Sequence, residues 1–117
     1  MSTIDTHSAP HYHWGEHCDG WHLLQSSALS VIQERVPPGG REQRHHHSRA
    51  TQFFYVLTGE AAIELNGVRH IVRAQQGLTV PAGEPHQFFN LSNDDVHFLV
   101  ISQPSTAGDR INAPPQH

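Results

Sequence analysis

The chain has 117 residues and a formal net charge of -4 at pH 7, and a chain of that length buries roughly two-thirds of its unfolded surface in one core, which argues against two domains. Its 7 Lys+Arg cations are all arginine, so Schiff-base lysine, P-loop lysine and Ser-Lys chemistries are excluded, and an acidic chain without a basic cluster suits no nucleic acid. Apolar runs such as Phe53 to Leu57 and Phe98 to Ile101 are too short for a membrane span or a signal-peptide core. The lone Cys18 forms no intrachain disulfide, and together these features point to a reducing cytoplasm.

Short apolar runs cut by turn residues predict an all-β fold, with any helix short and peripheral. Residues 1–20 read as an N-terminal arm. His11, His13, His17, Cys18 and His22 lack the paired Cys/His spacing of a closed structural zinc site. Trp14 and Trp21 read as anchors that pin the arm to the body or to a partner subunit. Strands are expected at Trp21 to Gln25, Leu29 to Val36, Arg44 to Arg49 and Gln52 to Thr58.

The run Phe53-Phe54-Tyr55-Val56-Leu57 is apolar at every position, so both of its faces call for cover, by a second sheet or by a partner. A homodimer is the expectation. Next comes the clearest local signal: Ala61 to Leu65, Asn66-Gly67, Val68 to Val72, two alternating strands joined by the dipeptide that suits a type I′ hairpin. Further strands are expected at Leu78 to Val80, His86 to Asn90 and Val96 to Ser102. Residues 21–104 thus form the body, and 105–117 a C-terminal tail.

Histidine is the unusual component, with 12 in the chain, and His45-His46-His47 lies inside it. On a strand His45 and His47 leave one face while Arg44 and His46 leave the other. His86 follows the rigid turn Pro81-Ala82-Gly83-Glu84-Pro85. Three neutral imidazoles form a donor set for a divalent first-row metal and keep positions free for water or substrate.

Gly39-x5-His45-x-His47-x4-Gln52-x6-Gly59 resembles the first motif of the cupins, and Pro81-x-Gly83-x2-His86-x3-Asn90 resembles the second. The resemblance spans roughly Leu29 to Ser102, and the flanking phrases Asp19 to Leu24 and Phe98 to Pro104 are similar to those of small single-domain bacterial cupins. It implies a jelly-roll-type double-stranded β-helix barrel, usually dimeric, with one metal inside. The sequence departs from the pattern where Gln52 replaces the first motif's glutamate and Gln75 replaces a glycine. A neutral Gln52 leaves the ion its full double positive charge, so the site holds metal less tightly and attracts anions.

The expected site is therefore one divalent ion per chain (Fe, Mn, Ni, Co or Zn) on His45, His47 and His86, with Gln52 either a ligand or a partner of bound water. The expected activity is dioxygenation, or isomerisation or lysis, of a small anionic or carbonyl metabolite. The alternative is a non-catalytic module that binds a small molecule or a metal. Glu34 and Arg35 face opposite ways on a strand: the first, if inside, would move protons, and the second would clamp an anion. Asn90 reads as the brace of a turn.

Overall fold

The computed structural model describes residues 2–116; residues 1 and 117, the outer ends of the expected arm and tail, lie outside the described residues. The strands are β1 (His11–Trp14), β2 (Cys18–Gln25), β3 (Ser30–Val36), β4 (His45–His47), β5 (Thr51–Thr58), β6 (Glu60–Leu65), β7 (Val68–Arg73), β8 (Gly77–Val80), β9 (His86–Phe89), β10 (Val96–Gln103) and β11 (Arg110–Asn112). No helix occurs among the described residues. A six-stranded sheet runs β1-β2-β3-β10-β5-β8 and a five-stranded sheet runs β11-β4-β9-β6-β7. Their inner faces enclose the core.

That core follows from period-two patterning. On β5, Gln52, Phe54 and Val56 are buried while Phe53 is exposed and Tyr55 and Leu57 are half-buried. Phe88 of β9 stacks on Phe98 of β10 with ring centroids 4.1 Å apart, Phe54 lies 6.0 Å from Phe98, and Val36, Val56, Ile63 and Val96 fill the space around them. Removing those side chains from water is the main term that stabilises the two-sheet packing.

The β6–β7 hairpin forms as expected: Leu65 pairs with Val68, and Asn66 and Gly67 take φ of 53° and 90°, as a type I′ turn requires. At Gly59 φ is 87°, and a Cβ there would meet the Asp95 carbonyl oxygen at 2.6 Å, so no larger residue fits where β5 gives way to β6. Gln75 holds φ of 68°, so the left-handed turn of the missing glycine is kept, with the Gln75 side chain accepting from Tyr55 Oη at 2.9 Å.

Two features differ from expectation, and a third leaves one of its alternatives open. β1 and β11 are strands in segments whose aliphatic pattern gives no signal: His-Tyr-His-Trp and Arg-Ile-Asn are ordered by pairing with β2 and β4 rather than by their own propensity. β2 begins at Cys18, earlier than its apolar run, because β1 pairs there. The outer face of β5 is not covered within the chain: Phe53 is 37% exposed.

Candidate metal centre

β4 is three residues long with the burial pattern buried, half-buried, buried, so His45 and His47 point inward together and His46 outward, as strand parity dictates. β9 pairs antiparallel with β4 and sets His86 directly opposite His45. Ring centroids lie 4.5 Å apart for His45 and His86, 4.9 Å for His45 and His47 and 6.0 Å for His47 and His86. One nitrogen of each falls within 4.8 Å of the others.

Hydrogen bonds fix the tautomers. His45 Nδ1 lies 2.8 Å from the Gln43 carbonyl oxygen and His86 Nδ1 lies 3.0 Å from that of Glu84. A carbonyl only accepts, so each Nδ1 carries the proton and each Nε2 keeps its lone pair. Burial pushes His45 down to about 3 and His47 to about 4, and it lowers His86 as well. All three rings are neutral near pH 7, the form that ligates metal.

Two further observations hold the site in place. The Gly83 N–H donates to the His47 carbonyl at 2.7 Å, tying the turn before His86 to the strand of His47. Asp109 accepts from the N–H groups of Ser48, Arg49 and Ala50 at 3.1, 3.1 and 2.9 Å and from Ser48 Oγ at 2.5 Å, which fixes the turn after His47. Those bonds, the hydroxyl's first, outweigh burial and hold the Asp109 carboxyl down at about 2.

The donors fit a metal on the evidence of their own valence. His47 Nδ1, His86 Nε2 and Gln52 Oε1 are buried without a hydrogen-bond partner, a costly state for polar atoms. Gln52 Nε2 donates to Ser102 Oγ at 3.1 Å, which aims the amide. A cavity of about 310 Å³ is lined by His45, His47 and Gln52 together with Tyr12, Trp14, Glu34, Glu42 and Arg110.

Glu34, not Arg35, faces this cavity. Glu34 Oε2 accepts from Tyr12 Oη at 3.2 Å, and desolvation pushes its carboxyl up to about 7. Arg35 turns outward to Asp19 at 2.7 Å and Asp95 at 3.2 Å. Glu42 Oε1 accepts from the Phe88 N–H at 3.1 Å. Desolvation, with the Glu34 charge beside it, raises Glu42 to about 8. Sequence parity offered no sign of Glu42, which lies in a loop, nor of Tyr12, Trp14 and Arg110, which arrive on β1 and β11. Asn90 braces its turn as expected, donating to the carbonyls of Val36 at 3.0 Å and Asp94 at 2.7 Å.

Beside the cavity an open groove of about 800 Å³, lined by Ser30, Arg49 and Ser105 among others, shares Ile32 and Thr106 with it.

Residues 32–102 match the family described as Cupin domain. Among curated proteins the chain is similar to the polyketide synthase CurC of Streptomyces cyaneus, 31% identical over 67 residues, which is 57% of this chain and 44% of that protein. It is also similar to an oxalate-binding protein of Thermotoga maritima, 28% identical over 85 residues, 68% of this chain and 70% of that protein. The chain thus spans less than half the length of CurC. Among solved structures the polyketide cyclase RemF from Streptomyces resistomycificus matches with a TM-score of 0.84 at 19% identity, covering 100% of this chain and 88% of that one, a likeness of fold.

Proposed function

The chain belongs to the cupin domain family, and on that premise we propose that it is a metal-dependent barrel that moves a proton on a small carbonyl compound or carboxylate. His45, His47 and His86 hold the ion, with Gln52 as a further oxygen donor. A divalent transition metal bound there supplies a Lewis acid that polarises a substrate oxygen. The observation that carries this reading is the set of three buried, unpartnered atoms, His47 Nδ1, His86 Nε2 and Gln52 Oε1.

The chain's own groups supply the rest. Glu34, with its carboxyl near 7, takes a proton from carbon and returns it to carbon or oxygen close to neutral pH, the condition under which a general base and acid works best. Tyr12 Oη orients it. Arg110 at the rim draws an anionic substrate, and Ile32, Phe54 and Val100 exclude water from the wall. Isomerisation, lysis or cyclisation of an enolisable compound fits this set, and the likeness to CurC and RemF supports it.

The second reading is a non-catalytic module that binds a small carboxylate, supported by the likeness to the oxalate-binding protein and by a neutral donor set that leaves the ion's charge for an anion. In both readings the arm 1–20 and tail 105–117 close the barrel 21–104, since Tyr12 and Trp14 come from one and Thr106 and Arg110 from the other. Both include a cytoplasmic homodimer, supported by the free Cys18 and the half-exposed apolar outer face of β5.

The test is metal content by mass spectrometry on untagged protein purified without a nickel column. Near-stoichiometric metal that is lost in His47→Ala supports the site, and its turnover of an enolisable substrate panel, lost in Glu34→Gln, separates enzyme from binding module. A His45/His47/His86 cavity that stays empty after anaerobic incubation with iron, manganese and zinc overturns the reading.

A further inference from the structure

A second cluster of metal donors lies outside the barrel. On β1 the side chains alternate: Tyr12 and Trp14 face the cavity, so His11 and His13 share the outer face. The β1–β2 register sets His13 opposite Asp19 and His11 opposite Trp21. As a result His11 Nε2 lies 2.7 Å and His13 Nδ1 lies 3.2 Å from the same atom, Asp19 Oδ1. The three donor atoms fall within 4.8 Å of one another, the limit that the barrel histidines also meet.

We propose that His11, His13 and Asp19 form a second divalent-metal site, one that takes Zn²⁺ on the outer face of the β1–β2 hairpin. Zn–N and Zn–O bonds of about 2.0–2.2 Å in a tetrahedron put ligand atoms about 3.3 Å apart, so the His13–Asp19 separation already suits an ion and the His11–Asp19 separation opens by about 0.6 Å. The carboxylate is already divided between its tasks: Arg35 Nε donates to Oδ2 at 2.7 Å, which leaves Oδ1 to the two imidazoles and holds its direction. Outer partners of this kind orient ligands in metal sites generally.

Trp21, its ring centroid 5.3 Å from that of His11, packs beside the ring. The Asp19 carboxylate only accepts, so His11 Nε2 donates to Oδ1 in the metal-free chain, and ion uptake moves that proton to the far ring nitrogen or to solvent. The fourth position belongs to water, because the His13 side chain is 78% exposed. Cys18 takes no part: it is fully buried, and desolvation pushes its thiol up to about 11.

Such an ion clamps β1 onto β2, and through β1 it steadies Tyr12 and Trp14 in the cavity wall. The site does not depend on the barrel reading. The test is zinc stoichiometry and affinity for the full chain, stripped with chelator and dialysed against micromolar Zn²⁺, in wild type, His13→Ala, His11→Ala and His47→Ala. The exposed positions of His11 and His13 leave the fold intact on substitution, checked by unchanged circular dichroism.

The expected result is loss of one equivalent in His13→Ala and in His11→Ala, with the His47-dependent equivalent retained. If the barrel takes no zinc, wild type binds one equivalent and His13→Ala none, so the two readings fail separately. Zinc binding that is the same in wild type, His11→Ala and His13→Ala overturns the proposal.

Discussion

His45 and His86 face each other across the β4–β9 pair with ring centroids 4.5 Å apart, and each places Nδ1 against the carbonyl two residues earlier in its own chain segment. The same local bond therefore presents Nε2 twice, from two strands far apart in sequence. The ladder pair brings the rings together and the carbonyls decide which atom they offer.

The His86→Leu variant tests whether His86 is held for its lone pair or for packing. The substitution removes a buried unpartnered Nε2 and also the Nδ1 hydrogen bond, and these oppose each other at about 1 kcal/mol each. Denaturant unfolding of the metal-free protein should shift by less than about 1 kcal/mol, while the metal equivalent that His47→Ala removes is lost in His86→Leu as well. A destabilisation above about 3 kcal/mol, in the range of cavity-creating core substitutions, would mean that the ring is a structural pillar.

Gln52→Glu adds a negative charge at a position already aimed into the cavity. The variant should release metal to a competing chelator about tenfold more slowly than wild type, because each added carboxylate raises affinity for a divalent ion. Equal or faster release would place residue 52 out of the ion's reach.

Glu34 should titrate near pH 7 by carbon-13 NMR of its carboxyl, and Tyr12→Phe should move the midpoint higher, since the hydroxyl bond favours the charged form. The folded-state value of about 7 lies above the ordinary 4.5. Glu34 therefore favours folding below about pH 4.5 and loses that contribution as pH rises through about 7. Glu34→Gln should gain stability over wild type at pH 8 relative to pH 5. A wild-type midpoint near 4.5 would remove Glu34 from the proton-transfer role.

Asp109 has the opposite sign. Its folded-state value of about 2 lies below the ordinary 3.8, so its contribution is present above about pH 3.8 and is lost as pH falls through about 2. Thermal unfolding between pH 6 and pH 2 should show a fall in midpoint that Asp109→Asn makes shallower, the remainder coming from other lowered carboxylates such as Asp19 and Glu64. Because the turn it fixes follows His47, Asp109→Asn should also loosen metal retention. Parallel acid limbs in variant and wild type would contradict both.

The histidine trio was legible because strand parity fixes His45 and His47 on one face whatever the tertiary structure, and because Pro81 to Pro85 marks where the next strand must start. The β6–β7 hairpin was legible for the same reason, with Asn66-Gly67 choosing the turn by its own conformational energy. The choice between Glu34 and Arg35 was not, since a one-residue register shift exchanges them. Tyr12, Glu42 and Arg110 carry no local signal, and Trp14, legible as an anchor of the arm, gave no sign of lining the cavity. β1 and β11 become strands only by pairing with β2 and β4, and Glu42 reaches the cavity through its bond to Phe88.

The cavity wall at β1 and β11 belongs to the two ends of the chain, while the Phe54, Phe88 and Phe98 stack belongs to its middle. Part of what the barrel admits is therefore written outside the stretches that supply its aromatic core, with Phe54 serving both. Tyr12, Trp14 and Arg110 can be exchanged for the matching residues of another such protein, and the graft should carry ligand preference with it while Asp109, the aromatic stack and the three histidines stay untouched.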